Sequence, residues 1–436
     1  MMADWQIGYA ESDITPASDG TRSMAGYGRE RYADGALAPL RAQALYLADA
    51  AGQRSLLLTA DVLHFDRTFV ENLRRAIERA TGLEAASVML AASHTHWGPA
   101  TGYRLSFFAG APDPWYRKRL HEYLLALAVE ASGAATPGRL SYAAADCQIG
   151  HNRRKPDGQG SVTWGPAPEK SYDRHTPVLV VERAGDPATI ILVGHACHPT
   201  SSGTIDKWTP DYPGAMRAQI EETRGADTRA MFVMGCGADA KVTHVDPATS
   251  ELVFSSSPPM AKAAGHDLAD AVLKRLHGDL TPLSPELRCG LVVGELTLAP
   301  SFPAATLEDL AYGGEAQFGY ASWAEQSLAY PDARKALPYS VQAWRFGDAL
   351  TLIGLEGEVC SPLGPLARAL ALTPDAMIVG YANATEGYIP SRTIVQEGGY
   401  EGNTSHRAYL LPAPFTEEVE VEFGRIVKRA VDTISQ

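Results

Sequence analysis

The chain has 436 residues, 45% of them hydrophobic, and a formal net charge of -13 at pH 7. That is enough apolar material for one large domain or two to three ordinary ones, and the negative field argues against nucleic acid and anionic membrane as partners, leaving small molecules. No apolar run approaches the roughly 18 residues of a membrane span, no basic leader precedes an apolar core, and five scattered cysteines without Cys-x-x-Cys spacing fit reduced thiols in a cytoplasm.

In chain order, Ser55 to Ala60 reads as a buried strand and Phe69 to Ala80 as a helix with Val70, Leu73 and Ile77 on one face. Val88 to Ala92 is a second strand, Tyr116 to Ala131 a second helix, and Val178 to Val181 with Ile190 to Val193 a strand pair. A helix begins at Asp211 after Pro210 and runs to Glu222, Met231 to Met234 is a buried strand, and His266 to Leu276 is a further helix. Beyond the two prolines of Leu280 to Pro285, Ala343 to Phe346 and Leu350 to Leu355 form a hairpin, Leu363 to Leu370 a helix and Met377 to Tyr381 a strand. The expected class is α/β, with mixed β-sheets flanked by helices and two lobes, approximately 1–280 and 281–436, forming one catalytic domain over 1–436. Asp146 to Asp173 and Ala299 to Pro338, rich in Gly, Pro and aromatics, are expected as loops that act as lids, binding walls or tolerated insertions.

The Val88 to Ala92 run delivers Ser93-His94-Thr95-His96-Trp97, then Gly98-Pro99, and alternate residues of an extended segment share a face. Two imidazoles so placed suit a metal or acid–base site, or else a pair of hydrogen-bonded loop histidines. Other apolar strands also end in polar residues. Ile190 to Gly194 leads to His195-Ala196-Cys197-His198-Pro199-Thr200, and Phe232 to Met234 leads to Gly235 to Lys241. Leu350 to Leu355 leads to Glu356-Gly357-Glu358, and Ile378 to Asn383 leads to Thr385-Glu386-Gly387-Tyr388. Sites of α/β proteins gather at strand ends, and histidines with a carboxylate suit a zinc ion that keeps a position for water.

Ile7 to Pro16, Met24-Ala25-Gly26-Tyr27, Ser93-His94-Thr95-His96 with Gly98-Pro99, Asn152-Arg153, His198-Pro199-Thr200, Gly357-Glu358, and Gly387-Tyr388 with Gly399-Tyr400 form a collinear set. It resembles the catalytic domain of the neutral ceramidases over roughly residues 7 to 402. The resemblance implies a zinc-dependent amidase domain in which His94, His198, Glu358 and Tyr388 bind the metal, with His96, Arg153 and Tyr400 around the scissile carbonyl.

Each position also has a plainer reading. His96 suits donation to an oxygen or simple packing, and Pro199 biases His198 to an extended backbone. Glu358 follows an apolar strand, where an unpaired carboxylate is costly, and Glu356, on the same face by alternation, is its rival. One of Arg153 and Arg154 is expected in a salt bridge, His195 is expected to be structural, and Asp211 is expected as a helix cap or else as a hydrogen-bond partner that orients a histidine. Presumed loop aromatics, among them Tyr103, Phe107, Phe108, Trp164, Phe318 and Trp323, either wall a pocket or pack the loops down.

The chain departs from the family where ceramidases carry a serine nucleophile after a Gly-Asp pair: in Gly237-Ala238-Asp239-Ala240-Lys241 the corresponding position is Lys241. An amine there would leave a stable amide, so zinc-bound water is the expected attacking group, with Lys241 stabilising charge, acting as a base, or paired with Asp239 or another carboxylate. No carboxyl-terminal sandwich domain and no signal sequence are expected. The function expected is a cytoplasmic zinc hydrolase acting on an amide, ester or lactone of a small soluble metabolite, with a homo-oligomer possible. The alternative is a zinc-dependent lyase or isomerase using Lys241 or His96 as base; a true ceramidase and a non-catalytic zinc-binding protein rank below both.

Overall fold

The computed structural model describes residues 5–26, 31–103, 110–185, 188–313, 320–330, 334–373 and 376–435. Tyr27, Phe107, Phe108 and Phe318 lie outside them. In chain order the strands are β1 (Trp5–Asp13), β2 (Arg41–Ala48), β3 (Arg54–Ala60), β4 (Val88–Ala92), β5 (Thr136–Asp146), β6 (Gly150–Pro156), β7 (Val162–Ala167), β8 (His175–Arg183), β9 (Thr189–His195), β10 (Thr228–Met234), β11 (Ala240–Val245), β12 (Leu252–Phe254), β13 (Thr281–Leu283), β14 (Leu287–Thr297), β15 (Ala336–Phe346), β16 (Leu350–Leu355), β17 (Glu358–Val359), β18 (Met377–Val379) and β19 (Tyr388–Ile389). The helices are α1 (Arg67–Thr81), α2 (Pro114–Gly133), α3 (Tyr212–Arg224), α4 (Pro258–Arg275), α5 (Ala304–Tyr312), α6 (Tyr320–Ala329), α7 (Leu363–Ala369), α8 (Arg392–Glu397), α9 (Ser405–Ala408) and α10 (Val419–Asp432).

The large sheet runs β10-β9-β8-β5-β1-β2-β3-β4, with β13 on β5. Its outer pairs, β9 with β10 and β3 with β4, are parallel, and the pairs between them antiparallel, so the sheet is mixed. One face is covered by helices: Phe69, Leu73, Leu120 and Leu124 pack on Leu56, Leu58 and Leu90, while Met216, Ile220 and Leu268 pack on Ile191, Val193 and Phe232. Its other face meets a second sheet, β14-β15-β16-β18, through Ile7, Leu47, Met89 and Leu192 against Trp344, Leu352 and Met377. Phe423, Ile426 and Val427 of α10 cover the outside of that second sheet at Val292, Leu296 and Val341. The layers are therefore helix, sheet, sheet, helix, in which each sheet is apolar on both faces; this explains the near-continuous apolar runs of β4, β9, β10 and β16.

Helix α1 shows how local chemistry sets its boundaries. Asp66 caps it by accepting from Phe69 N at 2.8 Å, and Gly82 closes it at φ 70°. The stretch 280–285 carries β13, bonded to Leu140–Tyr142 of the large sheet. One expectation is corrected. The stretches 146–173 and 299–338 are not plain loops: the first supplies β6 and β7 to a sheet ordered β12-β11-β6-β7, and the second contains α5 and α6.

The two parallel edges of the large sheet are tied together by the segment after β18. Gly380 N donates to Met234 O at 2.8 Å, Asn383 N to Leu90 O at 2.7 Å, and Ala92 N to Tyr381 O at 3.4 Å. Gly235 N donates to His195 O, Ala238 N to Val359 O and Tyr381 N to Gly357 O. The loops beyond β4, β9, β10, β16 and β18 are thus fastened to one another.

Candidate metal centre

His94 stands two residues past β4, at φ 63°, a left-handed conformation that a branched or bulky residue rarely adopts. The strand therefore ends at Ala92, and residues 93–97 form a turn fixed by His94 N to Val62 O and Thr95 Oγ1 to Thr209 O. Strand alternation is not what brings the two imidazoles together; this turn leaves the rings of His94 and His96 with centroids 5.1 Å apart. Gly26, at φ 91°, lies against His96 so closely that a Cβ would strike the ring.

His94 Nδ1 lies 2.7 Å from Leu63 O. A carbonyl only accepts, so the proton belongs on Nδ1 and Nε2 presents a lone pair. That lone pair faces His198 Nε2 at 3.0 Å and Glu358 Oε2 at 3.3 Å. His198 has the same arrangement, with Nδ1 3.4 Å from Gly237 O and Nε2 3.6 Å from Glu358 Oε2. His198 is positioned by its own N–H to Ala240 O and a bridge to Lys241. One ligand atom from each of His94, His96 and His198 lies within 4.8 Å of the others. Burial, and then the neighbouring His94, hold His96 and His198 well below the ordinary imidazole value, which favours their neutral forms.

Gly357, at φ 84°, turns the chain between β16 and β17 so that Glu358 and Glu356 diverge. Glu358 pairs in register with Tyr388 across β17 and β19. Its Oε1 accepts from Tyr409 Oη and its Oε2 from Tyr381 Oη at 3.4 Å. Burial raises its pKa, but the neighbouring His94 and the hydrogen bonds from Tyr409 and Tyr388 outweigh this and hold the carboxyl below its ordinary value. Glu356 instead accepts from Arg67 at 2.8 Å and Ser340 N at 2.9 Å; it faces Arg67, not the histidines.

Tyr388 Oη accepts from Arg153 Nη2 at 3.2 Å. Arg153 Nε donates to Glu401 Oε1 at 2.7 Å, and Arg154 Nη1 donates to Glu401 Oε2 at 2.7 Å, so one buried carboxylate holds both arginines. The expectation of a single salt-bridged arginine is corrected accordingly. Trp164, largely exposed, covers the Arg153 guanidinium at 4.6 Å. Tyr400, 37% exposed, meets the Tyr388 ring edge-on at 5.2 Å, and burial keeps its phenol protonated by raising its pKa.

Lys241 does not pair with Asp239, whose oxygens accept from Ser361 at 2.6 Å and Asn152 at 2.9 Å. Its Nζ donates to Thr200 O at 3.2 Å and lies 5.5 Å from the centre of the Phe254 ring. Burial, with Arg153, lowers its pKa to about 8. His195 lies between Tyr172 Oη at 2.8 Å and Thr176 Oγ1 at 2.9 Å, apart from the cluster. Asp211 makes no side-chain cap; it accepts from Ser201 and Ser202 and organises the loop behind His198.

Sequence reasoning missed Glu401, Tyr409, Tyr381 and His64. Two adjacent arginines in an otherwise apolar strand pattern demand a carboxylate, and Glu401 beside Tyr400 was the available signal. Nothing local marks Tyr409 or Tyr381. His64 is buried, and neither ring nitrogen has a protein partner among the described residues.

Two imidazole lone pairs and a carboxylate oxygen converge at 3.0–3.6 Å, with a phenol beside them. A divalent cation fits such a set, and its N and O donors, with no thiolate, suit zinc. Among the described residues, no helix is long and apolar enough to cross a membrane. No protein-family model and no curated protein sequence matches the chain. Solved structures do. The crystal structure of neutral ceramidase from Pseudomonas aeruginosa matches with a TM-score of 0.76 and 18% identity, over 98% of this chain and 74% of that one. A ceramidase complexed with C2 matches with a TM-score of 0.75 and 18% identity, over 98% of this chain and 75% of that one. The fold is therefore neutral-ceramidase-like.

Proposed function

We propose that the chain is a zinc-dependent hydrolase that cleaves an amide, or a related ester or lactone, in a small metabolite. His94, His198, Glu358 and Tyr388 hold the ion, and His96, Arg153, Lys241 and Tyr400 surround the reacting carbonyl. The observation that carries this is the 3.0 Å approach of two imidazole nitrogens, both oriented as acceptors, beside a buried carboxylate. The neutral-ceramidase-like fold supports amide chemistry in particular.

Bound zinc supplies Lewis-acid polarisation of a carbonyl oxygen and acidifies a water towards neutral pH. The chain's residues supply the rest. Arg153, held by Glu401, sets its guanidinium on the Tyr388 phenol oxygen and stabilises negative charge there. His96 is neutral, so one ring nitrogen can donate and the other accept during proton movement. Tyr400 remains protonated and offers an O–H to a developing oxyanion.

A lyase or isomerase is the second reading, favoured by a specific observation: the half-buried Lys241 amine has a pKa lowered to about 8 and so can act as a base near neutrality. The substrate in either case is a small molecule, and the compartment we assign is the cytoplasm. Release of amine from a panel of small amides and lactones, with zinc measured per chain, tests the proposal. Zinc-dependent release supports hydrolysis; solvent deuterium incorporated without cleavage favours the second reading. Neither activity from a zinc-loaded chain would sink both.

A further inference from the structure

Lys241 is a cation set beside the centre that makes no salt bridge among the described residues. Its described contacts are a carbonyl oxygen, Thr200 O at 3.2 Å, and the face of Phe254. The nearby carboxylates are hydrogen-bonded to other groups, Asp239 to Ser361 and Asn152, Asp211 to Ser201 and Ser202, and Glu401 to Arg153 and Arg154, and Asp211 acts on Lys241 through space only. Lys241 is nevertheless tied to the site by its backbone bridge to His198, and its charge acts on both His96 and His198. A half-buried ammonium with neither full hydration nor, among the described residues, a carboxylate in contact with it is costly, and the cost is recovered when an anion arrives.

We infer that Lys241 anchors a carboxylate carried by the substrate, so that this chain acts on anionic amides or lactones rather than on neutral ones. This rests on the cluster being the reacting centre. A carboxylate is favoured over a phosphate because, among the described residues, Lys241 is the single cation of the site that makes no salt bridge. Arg153 is already committed to Glu401, and phosphate recognition ordinarily engages several donors.

The experiment compares the zinc-loaded protein's affinity, by isothermal titration, for succinyl and glutaryl mono-4-nitroanilides against the uncharged butanoyl and pentanoyl 4-nitroanilides. The expected wild-type preference for the anionic series is about tenfold or more. In Lys241→Met that ratio falls to about one, and in Lys241→Arg part of it returns, which loss of packing alone would not produce. Because Lys241→Met retains the aliphatic stem, folding is checked by circular dichroism. A separate readout on the wild type, competition of free glutarate against the anionic probe, needs no variant. Equal affinity for both series, failure of the anionic series to bind, or a preference that survives in Lys241→Met overturns the inference. Binding with the expected preference but no cleavage would count against the hydrolase proposal while leaving the carboxylate anchor standing; cleavage of neutral amides without preference would do the reverse.

Discussion

The Nε2 atoms of His94 and His198 face each other at 3.0 Å while each ring turns Nδ1 to a backbone carbonyl, Leu63 at 2.7 Å and Gly237 at 3.4 Å. Two lone pairs at that separation repel unless positive charge lies between them. Burial disfavours an imidazolium at His198, and a metal ion between the rings is the occupant we propose. Purified wild type is expected to hold about one zinc per chain, and His94→Ala with His198→Ala almost none while remaining folded. Elemental analysis beside circular dichroism decides it, and a folded double variant with full zinc would remove these ligands from the site.

Chelation should lower the melting temperature, because an ion that binds only the folded chain stabilises it by about 4 kcal/mol at a thousandfold excess over its Kd. Thermal scans with and without chelator, followed by zinc add-back, measure this. An unchanged transition argues against a preformed site.

The two glutamates flanking Gly357 are expected to separate cleanly. Glu358→Gln weakens zinc retention, since Glu358 is the one that meets the histidines. Glu356→Gln keeps zinc but costs about 1.5–3 kcal/mol in urea unfolding, by weakening the Arg67 and Ser340 hydrogen bonds. Equal zinc loss in both variants would contradict the geometry.

Glu401→Gln removes the charge shared by two buried guanidiniums and is expected to cost about 3–5 kcal/mol. Arg153→Lys, which cannot reach Glu401 and Tyr388 with one planar fork, is expected to reduce kcat by about a hundredfold with a smaller change in stability. Denaturant titration and steady-state rates on the amide panel separate the two effects.

Acid should destabilise the fold through histidines outside the centre. Burial lowers His195 to about 4 and His406 to about 3, from 6.5. Between about pH 6.5 and 4 the unfolded chain therefore binds more protons than the folded one, so stability is full above 6.5 and is lost as pH falls. Each group contributes a slope of up to ~1.4 kcal/mol per pH unit. Urea midpoints across that range should be less steep for His406→Gln than for wild type; identical slopes would refute its share.

The α/β class, the buried strands β4, β9, β10 and β16, and the polar residues at their ends were legible in the sequence, because period and apolarity are local properties. So was the placement of His94, His198, Glu358 and Tyr388 at loops that do converge. Not legible were the left-handed turn at His94, the choice of Glu358 rather than Glu356 to face the histidines, and the grip of Glu401 on Arg153 and Arg154 together. Nor did the sequence show that Lys241 makes no salt bridge among the described residues. Those facts depend on which loops are fastened across the two parallel edges of the large sheet, through hydrogen bonds such as Gly380 N to Met234 O and Asn383 N to Leu90 O. Such contacts join residues more than a hundred positions apart, and only the folded chain brings their atoms within reach of one another.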